Sequence, residues 1–302
     1  MRWLLVGQDI VLFIFPAMLI ALIVCRHYNQ RVGGSLLRGA FDWLGLQSRR
    51  QCSQSPQPSS AASPTPAILQ RDVPLSVWGM AILLMLLAQP GINLLAYLNE
   101  MIHLPEALAG MEAWMQQMES ANAATTEQLM ATKTIGGFLA NIAVIGLLAA
   151  ISEEMLFRGA IQGVFALPSL RSRNLCSSRS GSSGVSAANA VRPGVAAAIW
   201  AAAILFSAMH LQFYGFIPRM LMGALFGYML VWSGTLWLPI LMHATNNTMV
   251  VIAYAIWPQD KTISSTIETF GTADTWYVGV ISLVLVGGLI YQIRKSLLSS
   301  QA

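Results

Sequence analysis

The stretch IGGFLANIAVIGLLAAISEEMLFRGAIQGVF, residues 135–165, decides the reading of this chain. It is apolar and long enough to cross a membrane, which takes about 20 mostly apolar residues in a helix. Toward its end, however, it carries Glu153, Glu154 and Arg158. A charged side chain at that depth costs about 3 kcal/mol on insertion scales, so such residues are rare and mark pairs or wet, functional cavities.

The composition around this stretch agrees with a membrane setting. The 302 residues are 55% hydrophobic and 10% charged, whereas soluble domains are about 25% charged. Apolar segments recur at 4–25, 76–98, 135–165, 195–213, 216–233, 236–256 and 274–293. The expected fold class is therefore all-α: a polytopic helical membrane protein with about seven transmembrane helices around an intramembrane cavity. The first segment is read as a retained helix, because no small-x-small cleavage site follows it.

The charges sort the loops by side. Arg26, Arg31, Arg38, Arg49, Arg50 and Arg71 follow the first segment, Arg171, Arg173, Arg179 and Arg192 the third, and Arg294 and Lys295 the last. Between the second and third segments stand Glu100, Glu106, Glu112, Glu119 and Glu127. By the positive-inside rule the N-terminus is expected outside and the C-terminus in the cytoplasm; in a bacterium the membrane would be the cytoplasmic one.

Four regions are expected. Residues 1–74 hold the first helix and a cytoplasmic linker, with the Pro- and Ser-rich 48–66 too poor in aliphatics to fold alone. Just before it, 36–49 reads either as a short headgroup helix or as a loop. Residues 75–134 hold the second helix and an outer amphipathic helix in which Leu108, Met111, Trp114, Met115 and Met118 fall at helical spacing. Residues 135–256 carry the polar motifs, interrupted by a Ser- and Gly-rich insert at 172–191, and 257–302 hold the last helix and tail. Cys25, Cys52 and Cys176 have neither a CxxC nor a metal-ligand spacing, so no disulfide framework is expected.

Within 135–256 three pairs of residues recur at i, i+4, each on one helix face: Glu154 with Arg158, Phe206 with His210, and His243 with Asn247. Glu154, Arg158 and Gln162 form one stripe, while Glu153 lies about 100° round the helix. Glu154 is expected to neutralise Arg158, leaving Glu153 available. A buried ion pair that merely sets helix register explains the first pair but not the second glutamate, and a lone helical histidine is more often structural than catalytic. Two histidines on separate helices beside a spare glutamate instead favour a shared site.

Peptide hydrolysis needs a base for water and donors where the oxyanion forms. Glu153 with His210 suits the first task and His243 with Asn247 the second. Alternatively Glu153, His210 and His243 are a two-His, one-carboxylate set for a divalent metal such as zinc, although HExxH is absent. The cofactor is thus either none or one divalent metal. Arg219, after Pro218 at a helix start, is expected to snorkel to the outer headgroups, and Gly223-x-x-x-Gly227 to serve helix packing.

In these residues the chain resembles the CPBP family of intramembrane proteases, which includes the CAAX prenyl endopeptidases and relatives linked to bacteriocin self-immunity. The family's signatures EExxxR, FxxxH and HxxxN match Glu153/Glu154/Arg158, Phe206/His210 and His243/Asn247 in order. The resemblance implies that Glu153 and His210 activate water, Glu154 and Arg158 support the site, and His243 with Asn247 binds the oxyanion. It implies an intramembrane endopeptidase whose partners are membrane lipid and a membrane-associated peptide or protein. The alternative is a catalytically silent scaffold or immunity protein of the same fold. A proton-coupled transporter would show inverted repeats and broken helices, and neither is found. No nucleic-acid partner is expected, because the arginines flank membrane segments without interleaved stacking aromatics.

A depth count sets one geometric condition. Glu153 and His243 fall toward the cytoplasmic side and His210 toward the outer end of its segment, unless that segment begins in the interface.

Overall fold

A computed structural model describes residues 2–27, 73–131, 134–167, 191–256 and 270–299. The expected linker at 48–66, the segment 36–49 and nearly all of the 172–191 insert lie outside these residues. Among the described residues every regular element is helical and none is a strand. We label the main helices α1 (Leu4–Arg26), α2 (Leu75–Glu100), α3 (Ala109–Met130), α4 (Ile135–Leu167), α5 (Pro193–Met209), α6 (Phe216–Ser233), α7 (Trp237–Ile256) and α8 (Trp276–Ser299).

The chain is an integral membrane protein of helical, polytopic type. Helices α1, α2, α4 and α6, and the segment Ala273–Ser299 that contains α8, are long and apolar enough to cross a membrane. The other two expected spans are helices of a different character. Helix α7 carries His243, Thr245, Asn246, Asn247 and Thr248 along its middle. Helix α5 is shorter than the expected 195–213, stopping at Met209 after 17 residues. At 1.5 Å per residue it is about 25 Å long, less than the roughly 30 Å hydrocarbon core.

That short helix decides where His210 lies. Leu211 adopts a left-handed backbone (φ 51°), and the turn after it is fastened from outside. Asn99, at the end of α2, donates through Nδ2 to the Phe213 carbonyl and accepts through Oδ1 from the Ile217 N–H, both at 2.9 Å. Asn122 of α3 donates to the His210 carbonyl at 3.3 Å, and Trp114 packs on Phe213 with ring centroids 5.4 Å apart. Helix α3 therefore covers the turn that bears His210.

Small residues bring the remaining helices together. A Cβ at Gly227 would meet Gln162 Oε1 at 2.6 Å and Ile199 at 2.8 Å, and one at Gly223 would meet Arg158, Phe206 and Ala203. This glycine pair seats neighbouring helices, which in a membrane associate by van der Waals packing rather than by hydrophobic exclusion. Pro90, inside α2, cannot supply its backbone N–H to the helix. One residue on, the Ser282 hydroxyl of α8 accepts from the Gly91 N–H at 3.1 Å and donates to the Leu87 carbonyl, so the loosened turn is satisfied from the neighbouring helix.

Helix α1 is part of the same bundle. Its Ala17, Ala21 and Val24 form one buried cluster with Met155, Leu156, Phe157 and Ala160 of α4. Helix α4 is continuous, but wide π turns at Ile142–Leu148 and Met155–Ile161 flank the segment Ala149–Glu154. Such turns are uncommon and occur often at functional sites.

Candidate active site

Apart from Phe206, the six motif residues lie on two helices and one turn; Arg158, His210 and His243 pack against the Phe206 ring, and Glu153 and Glu154 stand against these three. Arg158 is the largest fully buried side chain, 1% exposed, beside a Glu154 that is 0% exposed. Their Nη1 and Oε1 atoms are 2.9 Å apart. Neither Nη atom has a hydrogen-bond partner among the described residues. The cation lies instead over the Phe206 ring at 4.2 Å, with Phe226 and Phe157 at 5.4 and 6.0 Å. Ring faces carry negative potential, so three aromatics supplement the single carboxylate in neutralising this charge.

Glu154 Oε1 also accepts from His243 Nδ1 at 2.8 Å. Since Glu154 is the acid paired with Arg158, it accepts and the imidazole donates. A neutral His243 therefore has its lone pair on Nε2. His210 is oriented in the same way. Its Nδ1 lies 2.8 Å from the Phe206 carbonyl, which can only accept, so its lone pair is on Nε2 as well.

Both free nitrogens face one oxygen. Glu153 Oε2 lies 3.9 Å from His210 Nε2 and 3.8 Å from His243 Nε2, and it is buried with no hydrogen-bond partner among the described residues. Two imidazole lone pairs and a carboxylate thus converge without a donor between them. Whatever binds at their centre must supply protons or positive charge, and a separation near 3.8 Å is one that a single water can bridge.

A tetrahedral metal sets a narrower spacing on the same atoms. Ligand atoms around tetrahedral zinc stand about 3.4 Å apart, given bonds of about 2.0–2.2 Å. The separations here are wider by about half an ångström, and among the described residues no three His, Cys, Asp or Glu stand close enough to hold a metal ion. As placed, Glu153, His210 and His243 do not fit that ion.

Asn247 stands apart from this cluster in its bonding. Its Nδ2 donates to the Ile145 carbonyl at 3.2 Å and its Oδ1 accepts from Asn246 at 3.4 Å, so one Nδ2 hydrogen is left over. Asn246 in turn accepts from Gln89 at 3.0 Å, which ties α7 to both α4 and α2.

Two charged residues that motif reading passes over also lie here. Asp9 of α1 is 7% exposed; it lies beside Ser152 and within Coulombic reach of Glu153. Its signal in the sequence was simply a carboxylate inside an apolar segment. Arg219 is not extended toward the membrane surface. It folds onto Gln212, donating from Nη1 to the carbonyl at 3.3 Å and from Nη2 to the side-chain oxygen, within Coulombic reach of Glu153 and His210.

Side-chain exposure rises from Glu154 (0%) through Glu153 (14%) to His210 (31%). The site is closed at the arginine pair and opens on the side of the His210 turn.

No curated protein and no solved structure matches the chain. A family model described as type II CAAX prenyl endopeptidase Rce1-like matches residues 135–249, the segment that supplies all six motif residues. Over that segment the chain is similar to this family, in line with the CPBP-like motifs read from the sequence.

Proposed function

We propose that this protein is an intramembrane endopeptidase that hydrolyses a peptide bond of a membrane-associated peptide or protein by activating water at Glu153. The observation that carries the reading is the convergence of Glu153 Oε2 with two imidazole Nε2 atoms whose other nitrogens are already committed. The family match supports a protease-type enzyme.

Water donating to Glu153 and to His210 is polarised from two sides, and Glu153 takes the proton as the oxygen attacks the carbonyl. The proton then goes to the leaving amine. With Nδ1 committed to Glu154, His243 donates at Nε2 only as an imidazolium. With the remaining Nδ2 hydrogen of Asn247, it is the pair we assign to the developing oxyanion. Arg158 pairs with Glu154 and holds it in place, and touches no reacting atom. No step is routed through a metal.

The test is cleavage of a quenched membrane-peptide library by the purified protein in detergent, with wild type beside Glu153→Ala and His210→Ala, with and without a chelator. Turnover that is lost in both variants and survives chelation is expected. Turnover abolished by the chelator and restored by a divalent ion would replace the water-on-glutamate scheme with a metal one. Equal signals from wild type and correctly folded variants would favour the scaffold reading.

A further inference from the structure

The bundle holds two arginines near the carboxylates, and they are neutralised differently. Arg158 has Glu154 at 2.9 Å and three aromatic rings around it. Arg219, in the first turn of α6, has only neutral partners, the carbonyl and the side-chain oxygen of Gln212. Glu119 of α3 and Glu153 lie within Coulombic reach of it, but neither bonds to it. Glu119 keeps a buried Oε2 without a hydrogen-bond partner. Among the described residues the other N–H groups of Arg219 have no acceptor.

A guanidinium held this way is prepared for a ligand. Two of its five donors are fixed by Gln212, and its Nη2 would lie 3.1 Å from a Cβ on Gly215, so its position is set by contact on two sides. The free edge of a planar fork matches a carboxylate, which it binds through two parallel hydrogen bonds. A half-buried cation with no carboxylate bonded to it gains from the arrival of an anion. The same residue lies at the open side of the site, within reach of both Glu153 and His210.

We infer that Arg219 is a specificity-determining residue that binds a carboxylate of the substrate, at its chain end or on an acidic side chain, beside the bond to be cut. This rests on the endopeptidase reading and adds a requirement on the substrate: among apolar membrane peptides, those with a carboxylate close to the scissile bond are preferred. The Coulombic tie of Arg219 to Glu119 makes α3 part of the same subsite.

The experiment uses the full chain in nanodiscs of phosphatidylcholine and one cleavable peptide in four forms: free C-terminus or C-terminal amide, each with Glu or Gln within three residues of the scissile bond. For wild type, Arg219→Gln and Arg219→Lys, kcat and KM are measured on each form. In parallel, binding of each form to a Glu153→Gln background, with and without the Arg219 changes, is followed by fluorescence anisotropy.

Wild type should prefer one carboxylate form over its neutral counterpart by roughly 10- to 100-fold in kcat/KM, the worth of a charge-assisted pair. The preferred form tells chain end from side chain. Arg219→Gln should bring that ratio close to one, mainly through KM, and Arg219→Lys should restore part of it. An equal loss on charged and neutral forms would overturn the inference and leave Arg219 as a fastener of the 210–216 turn. Activity that follows added anionic lipid instead of peptide charge would overturn it in favour of headgroup binding. Turnover without discrimination refutes the inference alone, whereas no turnover with carboxylate-selective binding refutes the protease reading and leaves the carboxylate site standing.

Discussion

Glu153 and Glu154 are neighbours in the chain, yet the structure gives them opposite duties, and replacing each by glutamine should produce opposite phenotypes. Glu154 is 0% exposed, and its Oε1 serves both Arg158 at 2.9 Å and His243 at 2.8 Å. Glutamine keeps the shape but removes the charge, leaving a guanidinium that is 1% exposed with only aromatic faces for compensation. Breaking a buried pair from one side costs about 3–5 kcal/mol. At about 2–4 °C per kcal/mol, the unfolding midpoint of Glu154→Gln in detergent should fall by roughly 6–20 °C. Glu153 Oε2 has no hydrogen-bond partner to lose, so Glu153→Gln should leave the midpoint unchanged or raise it slightly. Its cost falls on turnover, by about 10²–10⁴-fold if it is the general base. The assays are intrinsic-fluorescence melting and peptide cleavage on the same preparations. A large stability loss in Glu153→Gln, or an unchanged midpoint in Glu154→Gln, would refute this division of labour.

Two further outcomes follow from packing and depth. Gly227→Ala places a methyl 2.6 Å from Gln162 Oε1 and 2.8 Å from Ile199, and should destabilise by about 1–3 kcal/mol; Gly288→Ala on α8 meets nothing within 4 Å and should stabilise slightly through helix propensity, both read from unfolding midpoints. Asp9→Leu removes a carboxylate whose burial costs up to about 3 kcal/mol, and forfeits its polar contact with Ser152. It should therefore be more stable by about 1 kcal/mol while turning over more slowly, and a less stable variant with full turnover would reduce Asp9 to interhelical glue.

Much of this was legible in the chain, for identifiable reasons. Helical periodicity alone puts Glu154, Arg158 and Gln162 on one stripe, and the structure has Glu154 against Arg158 and Gln162 bonded to the Gly227 carbonyl at 3.3 Å. What was not legible depends on contacts distant in sequence. Nothing at 210–211 signals a helix end: there is no Gly or Pro, and the turn is held by Asn99 and Asn122, each more than 80 residues away. The place of His210 in the turn followed from that stop and could not be counted from hydropathy. Arg219 looked like a snorkelling residue because its local sequence fits one. Only the fold shows Gln212 drawing it back. The π turns that frame Glu153 and Glu154 have no residue signature here, since both runs are ordinary apolar sequence.

The distribution of charge suggests why the site needs more than the segment that matches the family. Desolvation is tolerable for an ion only when a partner is close, and the driest charges, Glu154 and Arg158, are the pair in direct contact. Both belong to residues 135–249. The groups that remain free for chemistry, Glu153 and His210, lie progressively nearer the opening, where water can lower the cost of leaving them unpaired. That opening is not built by the matched segment alone. Asn99 and Asn122 hold the turn that carries His210, Trp114 roofs it, and Asp9 braces Ser152 next to Glu153. All four lie before residue 135. The closed end of the site thus lies within residues 135–249, while its open side is shaped also by α1, α2 and α3. Substrate choice should therefore follow sequence changes in those three helices more closely than changes in the motifs.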